Sequence, residues 1–227
     1  MRVIVTRPGE DGERLAAKLT ALGHAPILSP LMAIVPRENV PIPLRPWQTI
    51  AATSANAIRA LGGAGNLAHI PILTVGPQSE AAAKAAGFGT ASAHGGDVSG
   101  LAAHIRGTMT PDQGPILYLS GAETSGDLEG RLTAAGFDCT RVILYDAVPA
   151  RDLGEAPEAF SHPHDLAVML YSPRTARIWA SLAEAYEPAQ VAHFCLSANV
   201  AAVLPQRWVK RIAATPTEDA MLALLEP

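Results

Sequence analysis

Short apolar runs of strand length alternate with Ala- and Leu-rich segments of helical period along the whole chain, and this alternation limits the available folds more than any other feature. Runs near residues 2–6, 25–28, 48–53, 71–75, 89–92, 115–119, 139–145, 166–171, 191–196 and 210–213 read as strands. Between most of them the spacing predicts helices over about 11–22, 54–61, 77–86, 97–106, 124–135, 173–184, 198–204 and 217–225. A helix between two strands returns the chain in parallel, so the pattern means βαβ units. The expected class is α/β: two lobes with parallel sheets flanked by helices, joined by a two-stranded linker.

Two lobes follow from a repeat and two interruptions. "LTALG" at 19–23 returns as "LTAAG" at 132–136, "ATSANAIRAL" at 52–61 pairs with "YSPRTARIWA" at 171–180, and "TVGPQSEAAAKAAGFGTASA" at 74–93 is answered by "CLSANVAAVLPQRWVKRIAA" at 195–214. The order is kept across three blocks, as two copies of one α/β plan would keep it. "MAIVPRENVPIPLRP" (32–46) and "YDAVPARDLGEAPEAFSHPHD" (145–165) are proline-rich, lack helical period and read as linkers. The expected domains are a discontinuous α/β lobe from 1–36 and 147–227 and an inserted α/β lobe from 37–146. Two-lobed α/β proteins bind ligands between lobes, on loops at the carboxyl ends of strands.

Several chemistries are excluded. A net charge of −4 with no basic run argues against nucleic acid. No stretch of about 18 apolar residues suggests a membrane span, and "MRVIVTRPGE" does not read as a signal peptide, so the expected location is the cytoplasm. Cys139 and Cys195 lie in separate predicted strands and read as small buried hydrophobes. "VTRPGEDGERL" lacks G-x-G-x-x-G, "TVGPQSEAA" lacks the P-loop lysine, and no G-x-S-x-G occurs. His162 and His164 beside Asp165, and His193 with Cys195, fall short of a ligand set, so no metal is expected.

What remains is a set of polar loops at strand ends: Thr6-Arg7-Pro8, Thr53-Ser54-Ala55-Asn56, Gly76-Pro77-Gln78-Ser79, Ser120-Gly121, Ser172-Pro173-Arg174-Thr175 and Ser197-Ala198-Asn199. Most lead into a predicted helix, whose first-turn N–H groups and dipole suit carboxylates or phosphates. Capping alone also explains Ser54 and Ser172. Taken together, the loops describe a site for a ligand with many anionic groups, to which Arg7 and Arg174 add bidentate recognition.

Along nearly its whole length the chain resembles the uroporphyrinogen-III synthase family. The resemblance rests on "VIVTRPGEDGERLAAKLTALGHAPILSPLMAI", "IAATSANAIRAL", "ILTVGPQSEAAAKAAGF", "ILYLSGAETSGDLEGRLTAAGFDCTRVILYDAVP", "AVMLYSPRTARIW" and "WVKRIAATPTEDAMLALL". It implies two α/β lobes, an interlobe cleft and no cofactor. It also implies the substrate hydroxymethylbilane, a linear tetrapyrrole bearing acetate and propionate on every ring. The family closes it with inversion of ring D and loss of water, through a spiro intermediate. Unaided, the same molecule closes without inversion to the type I isomer. On this resemblance Tyr145 matches the cleft tyrosine that assists the departing hydroxyl; a half-buried linker aromatic is the alternative. Ser54, Ser79 and Ser172 match cleft-facing positions, amides around Gly76 and Gly121 take carboxylates, and Thr6, Arg7, Arg174 and Asn199 complete the rims. Where the family often carries glycine-proline-threonine, this chain has Ser197-Ala198-Asn199-Val200, with Asn199 as the substitute donor. The implied partners are the substrate and, transiently, hydroxymethylbilane synthase; a monomer is expected. A two-lobed, non-catalytic binder of an anionic small molecule is the other reading.

Overall fold

In the computed structural model, which describes residues 1–225, the apolar runs pair into two sheets. In chain order the elements are β1 (Arg2–Val5), α1 (Gly9–Ala21), β2 (Ala25–Leu28), β3 (Met32–Pro36), β4 (Thr49–Ala52), α2 (Ala55–Ala60), β5 (Ile72–Thr74), α3 (Pro77–Ala85) and β6 (Ala91–Ala93). They continue as α4 (Val98–Thr108), β7 (Ile116–Gly121), α5 (Leu128–Thr133), β8 (Cys139–Pro149), β9 (Leu166–Leu170), α6 (Pro173–Ala183), β10 (Ala192–Cys195), α7 (Ala198–Ala201), β11 (Lys210–Ile212) and α8 (Glu218–Leu222). One sheet has the order β11-β10-β9-β1-β2, and the other β3-β8-β7-β4-β5-β6. The pairs β1–β2, β1–β9, β9–β10 and β10–β11 are parallel, as are β4–β5, β4–β7, β5–β6 and β7–β8.

Each sheet belongs to its own compact unit. Met1–Ala33 and the chain from Val148 onward form the first, and Ile34–Ala147 the second. The chain leaves the first unit inside β3 and returns inside β8. In the first unit Ile4, Val168, Leu170 and Cys195 face one side with Trp179 of α6 and Val200 of α7. Val3, Val5, Ala167, Met169 and Phe194 face the other with Leu15 and Leu19 of α1 and Met221 of α8. In the second unit Ile50, Ile72 and Leu117 pack on Ile58 of α2 and Ala83 of α3, while Ala51, Leu73 and Tyr118 pack on Leu101 of α4 and Leu128 of α5. Both faces of each sheet are covered, which is why the central strands read as unbroken apolar runs.

The repeat acquires a structural meaning here. Apart from the edge strand β3, the two sheets share one plan: β2-β1-β9-β10-β11 in the first unit corresponds to β8-β7-β4-β5-β6 in the second. Each repeated half of the chain gives its first strand–helix–strand piece to one unit and its remaining strands to the other. "LTALG" and "LTAAG" end the equivalent helices α1 and α5 in glycines at positive φ, Gly23 at 80° and Gly136 at 88°.

Several boundaries differ from expectation, two of them with a clear local cause. Residues 32–36, read as irregular linker, form the edge strand β3, where Pro36 removes no interior ladder bond. The helix expected over 124–135 starts only at Leu128, because Asp127 caps it by accepting from the Gly130 N–H at 2.8 Å. Among the described residues no helix is long and apolar enough to cross a membrane.

Candidate functional site

In a doubly wound sheet the crevice for a ligand opens where the connections diverge to opposite sides, at the carboxyl ends of the central strands. In the second unit that place lies between β4 and β7, whose following loops carry Thr53-Ser54 and Gly121-Ala122. Ser54 caps α2, its Oγ accepting from the Asn56 N–H at 3.2 Å, and the same oxygen receives the Tyr145 hydroxyl at 3.3 Å. Capping and site formation are therefore one arrangement at Ser54.

Tyr145 comes from the distal part of β8 and is 7% exposed. Its ring lies against Gly121 so closely that a Cβ there would meet ring carbons at 2.5–2.9 Å. The loop is held from behind by Arg141, which donates from Nε to Ser120 Oγ and from Nη2 to the carbonyls of Gly121 and Ala122, each at 2.8 Å. Beside it the Tyr118 hydroxyl and Thr53 Oγ1 are 3.0 Å apart, and burial pushes the Tyr118 phenol above its ordinary pKa. Both phenols are thus anchored at loop residues, and the backbone around them is tied down.

Gly121→Ala would force the Tyr145 ring away from Ser54. A stability cost of about 1–3 kcal/mol is expected, from overpacking a site without slack. Chemical denaturation would measure it, and the near-ultraviolet tyrosine signal should change with it. An unaltered midpoint and spectrum would mean that the ring has room to move.

Gly76 caps α3, its carbonyl accepting from the N–H groups of Ser79 and Glu80 at 3.1 Å each, and Ser79 is itself buried in the first turn. Nothing lies within 4 Å of where a Gly76 side chain would begin.

In the first unit the corresponding crevice lies between β1 and β9. Thr6 turns its hydroxyl inward and donates to the Met169 carbonyl at 2.6 Å, pinning the two strands together. Arg7 sits 5.0 Å from the Tyr171 ring centroid and is paired with Asp11 at 2.8 Å and Glu218 at 3.0 Å. It thus has two carboxylate partners inside the unit, at the strand end where the sequence suggested a carboxylate anchor. Ser172 and Thr175 form a capping box at α6, and Arg174 stands in the first turn of that helix. Asn199 is exposed in the first turn of α7.

The structure therefore gathers Ser54, Gly121 and Tyr145 at one point, while Gly76 with Ser79, Thr6 with Arg7, Ser172 with Arg174, and Asn199 stand on separate strand-end loops. Sequence reasoning missed Tyr118, Arg141 and Glu218. Tyr118 carried a usable signal, a phenol within an aliphatic strand that had to find a partner when buried. Arg141 and Glu218 carried none, since each is one charge among many.

No cluster of three or more His, Cys, Asp or Glu suited to a metal occurs among the described residues. His193 and Cys195 share a face of β10, but burial pushes the Cys195 thiol up to about 11, so it is held protonated.

Comparison with known proteins adds the following. The family model described as uroporphyrinogen-III synthase HemD matches residues 13–223. No curated protein matches the chain. Among solved structures, uroporphyrinogen-III synthetase from Helicobacter pylori 26695 is similar at 16% identity and a TM-score of 0.68, covering 99% of this chain and 97% of that one. A substituted uroporphyrinogen III synthase from the extremely thermophilic bacterium Thermus thermophilus is similar at 19% identity and a TM-score of 0.52, covering 100% and 97%. At these identities the structures bear on fold, and the family model bears on membership.

Proposed function

The chain belongs to the uroporphyrinogen-III synthase family, lyase-type cyclases of porphyrin biosynthesis, and from that premise we propose that it closes hydroxymethylbilane into uroporphyrinogen III with inversion of ring D and loss of water. The observation that carries the reading is the phenol of Tyr145, hydrogen-bonded to Ser54 and packed on Gly121 at the crevice of the second unit.

Two tasks face such a catalyst. As the terminal C–O bond breaks, the departing oxygen gains charge, and a phenol within hydrogen-bond reach can give it a proton so that water leaves. The proton released by the closing pyrrole restores the balance. The chain must also be held so that the last pyrrole attacks at its substituted carbon, which is a problem of orientation. Strand-end loops of both units supply that hold in this reading, with amides at the start of α3 and α6 and the first-turn residues Arg174 and Asn199 meeting carboxylates. Arg7, already shared between Asp11 and Glu218, shapes its loop instead. Both units belong to one chain, so in this reading a monomer suffices. Spontaneous closure of the substrate favours a short transit from hydroxymethylbilane synthase in the cytoplasm.

The test generates hydroxymethylbilane in situ, adds the purified protein, oxidises the products and separates the uroporphyrin isomers. Predominance of type III is expected. Type I alone, with the supplying enzyme shown active, would leave a non-catalytic binder as the working description.

A further inference from the structure

The two units share a plan, so equivalent positions that differ in chemistry are informative. Aligning "LTALG" with "LTAAG" places Lys18 opposite Arg131, each immediately before a fully buried leucine, Leu19 or Leu132. Facing α1 and α5 are the equivalent helices α8 and α4. Thr217 caps the first by accepting from the Ala220 N–H, and Asp97 caps the second by accepting from the Gly100 N–H. The residue after each cap is Glu218 in α8 and Val98 in α4.

In the first unit Glu218 fills the space between the helices. Its carboxylate meets Lys18 at 2.7 Å, Arg7 at 3.0 Å and Arg14 at 3.4 Å. In the second unit Val98 turns into the core, and no carboxylate replaces it. Arg131 there has no ion-pair partner among the described residues and lines a pocket of about 250 Å³ together with Thr53, Ser99 and Ser125. The Asp97 carboxylate also lines this pocket, with one oxygen engaged by the Gly100 N–H. The pocket wall is stiff, because Gly95 and Gly100 pack backbone to backbone with no room for a Cβ on either.

We propose that this pocket is a carboxylate subsite in which Arg131, with the hydroxyls of Ser99 and Ser125, takes an acetate or propionate arm of the substrate, in the place that Glu218 occupies in the other unit. The assignment rests on the synthase reading for the identity of the ligand. Its position fits that reading: Thr53, which lines the pocket, is bonded neighbour to Ser54, the hydrogen-bond partner of Tyr145. A planar guanidinium suits a carboxylate, and its loss weakens binding by about tenfold or more.

Arg131→Gln is the variant to compare with the unaltered protein. Arg131 is exposed, so the fold should survive the change. Two readouts are needed: KM for hydroxymethylbilane in the isomer assay, and Kd for uroporphyrin I, an octacarboxylate, followed by its fluorescence. Both are expected to rise about tenfold while kcat stays within twofold, and Arg131→Lys should recover part of the loss. Type III formation with KM and Kd unchanged in Arg131→Gln overturns the subsite and leaves the synthase reading intact. Type I alone from the unaltered protein, with weaker uroporphyrin binding by the variant, keeps the carboxylate subsite and overturns the synthase reading.

Discussion

Tyr145→Phe is expected to lower kcat for the type III isomer by about 10²-fold, the lower end of what a positioned acid contributes. Little else should change. The ring and its contact with Gly121 stay, and Ser54 keeps its capping bond to Asn56, so the lost hydrogen bond at 3.3 Å should cost no more than about 1 kcal/mol. KM should hold within a factor of about two, because a group acting only as the C–O bond breaks contributes nothing to ground-state binding. The spontaneous reaction provides an internal clock: as the enzyme slows, type I should take a growing share of the product. Ser54→Ala is the companion variant. It removes a helix cap, at about 1 kcal/mol, and leaves the phenol without its partner, so stability should fall more and turnover less than in Tyr145→Phe. A Tyr145→Phe protein turning over within threefold of the unaltered one would reduce Tyr145 to a packing aromatic and move the acid elsewhere.

The reach of the sequence is clearest where periodicity carried the information. Strands buried on both faces appear as unbroken apolar runs, and helices with one buried stripe keep a 3.6-residue period, so β1, β4, β7, β9 and their helices were legible. Turn chemistry carried the repeat, through glycines such as Gly23 and Gly136 that helix ends require. The proline-rich segments at 32–46 and 145–165 suggested a discontinuous and an inserted lobe, but the strand order within each sheet was not legible, because a linear repeat does not say which strand lies beside which. At the site, Ser54 and Tyr145 were recognisable as residue types at strand ends, but their mutual contact spans 91 positions. Arg7 shows a different gap. An arginine beside a strand end suggests a ligand anchor, and its ion pair with Glu218, 211 positions away, could not be read from the sequence. Long-range electrostatic pairing leaves no periodic trace.

A second large effect should appear in stability against pH. His193 lies in the middle of β10, fully buried, stacked on Trp208 with centroids 4.7 Å apart and edge-on to Trp179 at 6.1 Å. Its Nδ1 is 3.0 Å from the Val209 carbonyl, which can only accept, so the proton sits on Nδ1. Nε2 and the indole nitrogens of Trp179 and Trp208 have no hydrogen-bond partner among the described residues. Burial pushes the imidazole down to about 4, against an ordinary value near 6.5; Lys210 adds to the shift, and carbonyls of Val209 and Val191 oppose it. The folded protein therefore holds His193 neutral while the unfolded chain takes up a proton. Stability is full above about pH 6.5 and falls by about 1.4 kcal/mol per unit as the pH drops toward 4, for a total of about 3 kcal/mol. That loss precedes most carboxylate titration, which begins near pH 5 and below. Urea midpoints between pH 7.5 and 4.5 should trace it, and His193→Phe should flatten the upper part of the curve while keeping the aromatic stack. If the unaltered protein and His193→Phe run parallel from pH 7 to 5, the imidazole is protonated in the fold, and the core around Trp179 and Trp208 must contain a charge acceptor that the present geometry lacks.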